Sequence, residues 1–189
     1  MIISISGAHG SGKSTLALRL AEKLNWPHYY IGGMRREAAA KRGLSLAEYN
    51  KLGETDPATD REVDDYQKEL GESEDNFIIE GRTSWYLIPH SLKIYVDVDP
   101  DEGARRVFSD LQQKNERNEE NGLNSVEAVK ESLNRRLASD NLRYQKYYGI
   151  NVYNPANYDY YLDTTNISKA EAFEKVYAFI ISRLDKPQI

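Results

Sequence analysis

Residues 7 to 14 read Gly7-Ala8-His9-Gly10-Ser11-Gly12-Lys13-Ser14, a G-x-x-x-x-G-K-S pattern whose fixed positions each suit a task in holding phosphate. Glycine lets the chain curl so that several backbone N–H groups point inward, and a helix starting directly behind adds its positive end. Such a cradle fits the oxygens of a nucleoside triphosphate such as ATP. Gly7, Gly10, Ser11, Gly12, Lys13, Ser14 and Thr15 are its candidate binding residues; Lys13 is placed to reach the terminal phosphates and Ser14 to bind Mg²⁺. Moving a phosphoryl group also needs a second anion site with its own arginines. Candidates occur in three separate segments: Gly32-Gly33-Met34-Arg35-Arg36, Gly81-Arg82, and a late helix carrying Arg136, Asp140 and Arg143. Offsets of four and seven put those last three on one helical face, where two arginines flanking an aspartate offer donors to a phosphate and an acceptor to ribose hydroxyls. An exposed helix with an ordinary i,i+4 ion pair has the same spacing, so the trio stays open on this ground alone.

These residues need a scaffold, and the hydrophobic pattern supplies one. Apolar runs at Ile2 to Ser6, His28 to Ile31, Phe77 to Glu80, Leu92 to Val98 and Tyr158 to Asp163 alternate with helical stretches, which predicts an α/β fold with a five-stranded parallel sheet between two helical layers. The first run precedes the phosphate loop, and Leu16, Ala17, Leu20, Ala21 and Leu24 form a helical stripe behind it. The later runs end in Glu80-Gly81-Arg82, Asp97 with Asp99, and Asp163-Thr164-Thr165, polar groups at the strand ends where ligands bind in open α/β sheets. Residues 33 to 72 form a helical insertion with turn signals at Arg42-Gly43 and Asp56-Pro57. Residues 112 to 124 are almost all polar and read either as a lid, within a region of about 108 to 135, or as a solvated surface loop.

Bulk properties narrow the class. A chain of 189 residues makes one domain with a real core. The 25 Lys and Arg against 30 Asp and Glu leave a formal charge of −5, with neither sign gathered in a tail, which argues against nucleic-acid or membrane-surface partners. Cysteine is absent, excluding disulfides, thiolate zinc sites and a Cys nucleophile. With the first strand beginning at once and no apolar stretch of spanning length, a cytoplasmic protein is the expectation. The 14 tyrosines can stack on a base, although packing is their commoner use.

The order of these motifs resembles the cytidylate kinases, and among them the shorter type common in archaea. The resemblance runs over about residues 1 to 170: the phosphate loop, Gly32 to Arg36 running on to Leu46, Asp60 to Asp64, Ile78 to Arg82, Arg136 with Asp140, and Arg143-Tyr144 on to Tyr148-Gly149-Ile150. It implies a P-loop kinase with a helical insertion that holds the nucleoside monophosphate. Arg36, Arg82 and Arg143 then resemble the arginines that hold the acceptor phosphate, and Arg136 and Asp140 the pair that meets the ribose and the reacting phosphates. Glu80 corresponds to the acidic residue that orders water around Mg²⁺, and Arg106 to the arginine over the donor adenine. The chain departs from that pattern at Asp110, where a second lid arginine is usual and Lys114 or Arg117 is the substitute at hand. It departs again at Thr83, where longer members carry an Asp facing the base, and at Ala8 and His9, the latter expected to be a solvated loop residue.

The implied activity is ATP-dependent phosphorylation of CMP or dCMP, with ATP and Mg²⁺ as cofactors, small-molecule partners only and a monomeric state. A kinase for another monophosphate or small metabolite, and a nucleotide-binding regulator without transfer activity, are the alternatives that Thr83 and Asp110 keep open.

Overall fold

The structure is a computed structural model that describes residues 1–113 and 122–184. Strands β1 (Ile2–Gly7), β2 (His28–Tyr30), β3 (Phe77–Glu80), β4 (Leu92–Asp97) and β5 (Tyr160–Asp163) form one sheet, parallel throughout, in the order β2-β3-β1-β4-β5. The helices are α1 (Lys13–Leu24), α2 (Ile31–Lys41), α3 (Leu46–Gly53), α4 (Ala58–Ser73), α5 (Ser84–Leu87), α6 (Pro100–Leu111), α7 (Val126–Tyr148) and α8 (Lys169–Leu184). This is the α/β architecture the alternation predicts. Four strand ends differ: β1 runs on to Gly7, Ile31 already belongs to α2, β4 ends at Asp97, and Tyr158 precedes β5 because its N–H turns back to the Pro155 carbonyl and closes a 3₁₀ turn. Among the described residues no helix is long and apolar enough to cross a membrane.

Side chains alternate across each strand, so the sheet builds two cores. Ile3 and Ile5 of β1 and Ile78 of β3 pack against Leu16 and Leu20 of α1 and Phe173, Val176 and Ile180 of α8. On the opposite face Ile2, Phe77 and Ile79 meet Val63 and Leu70 of α4, with Ile31 and Ile88. Ile3, Ile5, Ile78 and Ile94 are fully buried, as strands covered on both faces require; each such side chain contributes about 1.5–3 kcal/mol. A third cluster, Ala104, Val107 and Val129, joins α6 to α7.

The three helices between β2 and β3 are delimited by local chemistry. Gly43, at φ +67°, lets the chain reverse after α2: its N–H bonds the Ala40 carbonyl at 2.9 Å and the Leu44 N–H bonds that of Ala39 at 3.0 Å. Ser45 and Glu48 cap α3 reciprocally. The Asp56 carboxylate accepts the Ala58 N–H at 2.9 Å as α4 begins. Of the region expected as a lid, the structure describes the end of α6 and the start of α7; residues 114–121, with Lys114 and Arg117, lie outside the described residues. Several tyrosines form an aromatic seam in which Tyr161, Tyr95, Tyr158, Trp85, Tyr86 and Tyr148 follow one another at centroid distances of 4.9 to 5.9 Å. Packing is therefore the use to which this run of rings is put.

A buried polar cluster fastens α4 to the turn after β3. The Asp64 carboxylate accepts from the Thr83 hydroxyl and the Gln67 amide, each at 3.2 Å, and from the Tyr148 hydroxyl; Gln67 in turn accepts from Ser84 at 2.6 Å. Burial pushes the Asp64 carboxyl up to about 6 despite these donors. A carboxyl raised on folding holds its proton more tightly in the folded chain, so the cost of ionising it grows as the pH rises from about 4 to about 6 and persists above. Asp64→Asn is therefore expected to raise stability at pH 7 by about 1–3 kcal/mol and to give no gain below about pH 4. Thermal unfolding across that range checks it; a gain that does not vary with pH would contradict it.

Candidate active site

The phosphate loop links the end of β1 to α1 and is set by contacts that glycine alone permits. Gly10 and Gly12 lie at φ +76° and +81°. A Cβ at Gly10 would run into the backbone of Gly103 in α6, and one at Gly103 would lie 2.6 Å from the His9 carbonyl oxygen. The loop is thus pressed against α6. Its base is tied to the sheet by the Ala8 N–H, which bonds the Val96 carbonyl at 3.0 Å, and Ser11 Oγ donates back to the Ala8 carbonyl at 2.9 Å. Lys13 Nζ lies 3.3 Å from that same carbonyl. Gly12 begins α1 without a side-chain cap, leaving the helix N-terminus to the cleft.

Ser14 Oγ donates to Glu80 Oε1 at 2.7 Å. The other carboxylate oxygen of Glu80 is buried and has no hydrogen-bond partner among the described residues. A hydroxyl beside an under-coordinated carboxylate is a hard-oxygen donor pair, the set Mg²⁺ prefers. Since no group of three or more His, Cys, Asp or Glu among the described residues could hold a metal, the remaining ligands of a cation here would be phosphates and water.

Two clefts meet at Lys13 and Ser14. The first, of about 510 Å³, is lined by Gly10 to Leu16, Arg106, Asp110, Gln113, Thr164 and the start of α8. Arg106 is fixed on its wall, donating to Glu102 at 2.9 Å and to the Thr164 and Thr165 carbonyls at 2.9 and 3.2 Å. Thr164 Oγ1 sits 3.0 Å from the Ser11 carbonyl, binding the end of β5 to the loop.

The second cleft gathers residues from four segments: His9 and Lys13 from the loop and α1, Arg35 and Arg36 from α2, Glu80 and Arg82 from the end of β3, and Arg136, Asp140 and Tyr144 from α7. Five cations stand there against two carboxylates, a potential suited to an anion. Arg36 donates to the Tyr30 hydroxyl at 2.6 Å and to the Gly32 carbonyl at 3.2 Å. Arg82 is held by one edge: its Nε lies 2.7 Å from Asp140 Oδ2 and 3.0 Å from the Tyr153 hydroxyl, which donates to the same Asp140 oxygen at 2.8 Å. Burial would raise the Asp140 carboxyl, but Arg82, Arg143 and Arg136 outweigh it and hold the group below the usual range, ionised at neutral pH.

Arg143 stands apart. Its guanidinium is fully buried, pairs with both oxygens of Asp60 at 2.6 and 2.7 Å and donates to Asp140 Oδ1 at 2.5 Å, so it does not face the cleft in this geometry. The helical spacing puts Arg136, Asp140 and Arg143 on one side, but the carboxylates on either side of Arg143 draw it into the interior. Asp60 also receives Arg35, which donates to Asn50 at 2.9 Å. The expectation that His9 is a solvated loop residue fails: it lines the second cleft, with both ring nitrogens 2.9 and 3.1 Å from Arg82 Nη2. Residues that the sequence reading left without a role are Arg35, Asn50, Asp60 and Tyr153. Asp60 lay inside a stretch already singled out, whereas Tyr153 sits in a polar loop with no periodic signal.

A model of the cytidylate kinase-like family matches residues 2–166. A cytidylate kinase of Methanocorpusculum labreanum is 34% identical over 187 residues, 98% of this chain and 99% of its own length. One from Natronomonas pharaonis is 36% identical over 170 residues, 89% of this chain and 83% of its own. Among solved structures, shikimate kinases from Bacteroides thetaiotaomicron and Acinetobacter baumannii, the second with shikimate bound, superpose with TM-scores of 0.63 and 0.62 at 15% and 16% identity. The superpositions cover 98% of this chain in both cases, and 99% and 95% of the respective kinases. Identity that low speaks for the fold only, whereas the matches in sequence extend along nearly the whole chain. The chain belongs to the cytidylate kinase-like family.

Proposed function

We propose that this nucleoside monophosphate kinase transfers the γ-phosphoryl group of ATP to the phosphate of CMP or dCMP. The observation that carries the reading is the meeting of a phosphate loop and an arginine-lined cleft at Lys13 and Ser14. In this reading ATP lies in the larger cleft with its base against Arg106, and the acceptor phosphate enters between Arg36, Arg82 and Arg136. An oxygen of the acceptor phosphate bonds to the γ-phosphorus as the bond to the β–γ bridging oxygen breaks, and ADP leaves with that electron pair. The acceptor is already anionic at neutral pH, so positioning and charge neutralisation supply the catalysis.

Lys13, which lines both clefts, and Arg136 of the acceptor cleft stabilise the charge that spreads over the transferring group. Asp140 holds Arg82 and is the acceptor for ribose hydroxyls, while Arg143 acts on the substrate through Asp140. Ser14 and Glu80 would hold Mg²⁺, which when bound would supply positive charge to offset that of the phosphates.

Incubation with ATP, Mg²⁺ and each nucleoside monophosphate, following ADP, tests the reading. ADP formed with CMP or dCMP supports it; ADP formed equally with no acceptor would make the chain an ATPase instead. Lys13→Ala is expected to lower the CMP-dependent rate by about 10²-fold or more with little change in melting temperature. Tyr153→Phe is expected to raise the KM for the monophosphate by about 3- to 10-fold and to leave the KM for ATP alone, because it removes one hydrogen bond that aims Arg82. An equal effect on both substrates would detach Tyr153 from the acceptor side.

A further inference from the structure

His9 lines the second cleft, one residue before the Gly10 that borders both clefts, and its surroundings are unusual for a histidine. It is half-buried in a loop whose backbone at that same residue is pressed against Gly103. Arg82 Nη2 lies 2.9 Å from one ring nitrogen and 3.1 Å from the other. The Nε of the same guanidinium is taken by Asp140 and Tyr153. His9 therefore holds the Nη2 end of Arg82, and both residues line the second cleft.

Charged and titratable groups face this ring from every element around it. The start of α1 brings Lys13, β2 brings Tyr30, α2 brings Arg35 and Arg36, the end of β3 brings Glu80 and Arg82, and α7 brings Arg136, Asp140 and Tyr144; α6 meets it through Gly103, which carries no charge. Burial, followed by Arg136, Arg82, Lys13 and Arg36, holds the imidazole well below its ordinary range, so it is neutral in the empty cleft. A neutral ring is a replaceable acceptor for Arg82. A carboxylate there would satisfy the arginine permanently and repel the substrate, and an aliphatic side chain would leave the guanidinium edge unheld.

We propose that His9 senses the acceptor: in the empty cleft it seats Arg82, and when a phosphate dianion enters it takes up one proton from solvent and becomes a further cation on that phosphate. The guanidinium N–H that faced the ring passes to a phosphate oxygen, and the ring, now a donor at both nitrogens, can bond the phosphate as well. A dianion at contact distance opposes the field of the surrounding cations and favours the charged form of the ring. Acceptor binding then tightens as the pH falls toward the ordinary range of histidine, while ATP binding in the larger cleft does not follow. The proposal rests on the second cleft being the acceptor site.

The three histidines, His9, His28 and His90, make the test direct. The ring signals of the protein are followed by NMR against pH, with and without saturating CMP, and the His9 signal is assigned by its loss in His9→Gln. The expected result is a His9 ring that is neutral at about pH 6.5 without CMP and protonated with it. In parallel, calorimetric titration of CMP at the same pH in buffers of different ionisation enthalpy reads proton uptake; His9→Gln is expected to bind CMP about tenfold more weakly and to take up about one proton less than wild type. Protons exchanged by CMP itself are common to both proteins and cancel. A His9 signal that does not shift with CMP, or equal uptake in the two proteins, overturns the role of His9 and leaves the acceptor assignment standing. Failure of wild type to bind CMP or dCMP overturns both.

Discussion

Two buried carboxylates, Asp60 and Asp140, share Arg143 between them, and the geometry of the acceptor side depends on that arrangement. Arg143 is fully enclosed and spends its donors on both acids. Asp60 uses one of the same oxygens, Oδ1, to hold Arg35, and Asp140 uses its second oxygen to hold Arg82. Four segments, α2, α4, α7 and the end of β3, are thereby locked in one ion network. Buried pairs of this kind return little net stability against well-packed apolar residues, yet removing one partner leaves an uncompensated charge and costs about 3–5 kcal/mol. The network earns its place through orientation: it fixes which edge of each arginine is spent on the protein and which is left for substrate.

The donor side is built by a different device. There the backbone does the binding, and close approach sets its shape: Gly10 meets Gly103, the Ala8 N–H reaches β4, and Thr164 ties the loop to β5. Nothing on this side requires a charged network. The two halves touch at Gly10, Lys13 and Ser14. Glu80 completes the junction, one oxygen on Ser14 and the other buried with no hydrogen-bond partner among the described residues.

Much of this was legible in the sequence, for identifiable reasons. The strands read clearly because those covered on both faces must be apolar, and the loop read clearly because phosphate binding demands glycines at fixed places. The arginines of the acceptor cleft were found by their positions after strands, where ligands bind. Arg143 shows the limit: periodicity gives the side of a helix on which a residue lies, not whether an acid from another segment will capture it. Asp60 supplies that acid from 83 positions away. His9 was misread for a related reason, since its neighbours Arg36, Arg82 and Arg136 come from three other elements. Tyr153, in a loop without periodic pattern, gave no signal to read.

If the network exists to aim arginines, then an acid that never touches the cleft must still govern acceptor binding. Asp60 is such a group: it is buried, and it is absent from the walls of both clefts. The decisive measurement is the affinity of Asp60→Asn for CMP and for ATP, taken at a temperature where the variant is folded. The account predicts that CMP binding weakens by about tenfold or more while ATP binding stays within about twofold. Unchanged affinity for CMP in a folded but less stable variant would contradict it, and would reduce the network to a structural fastening.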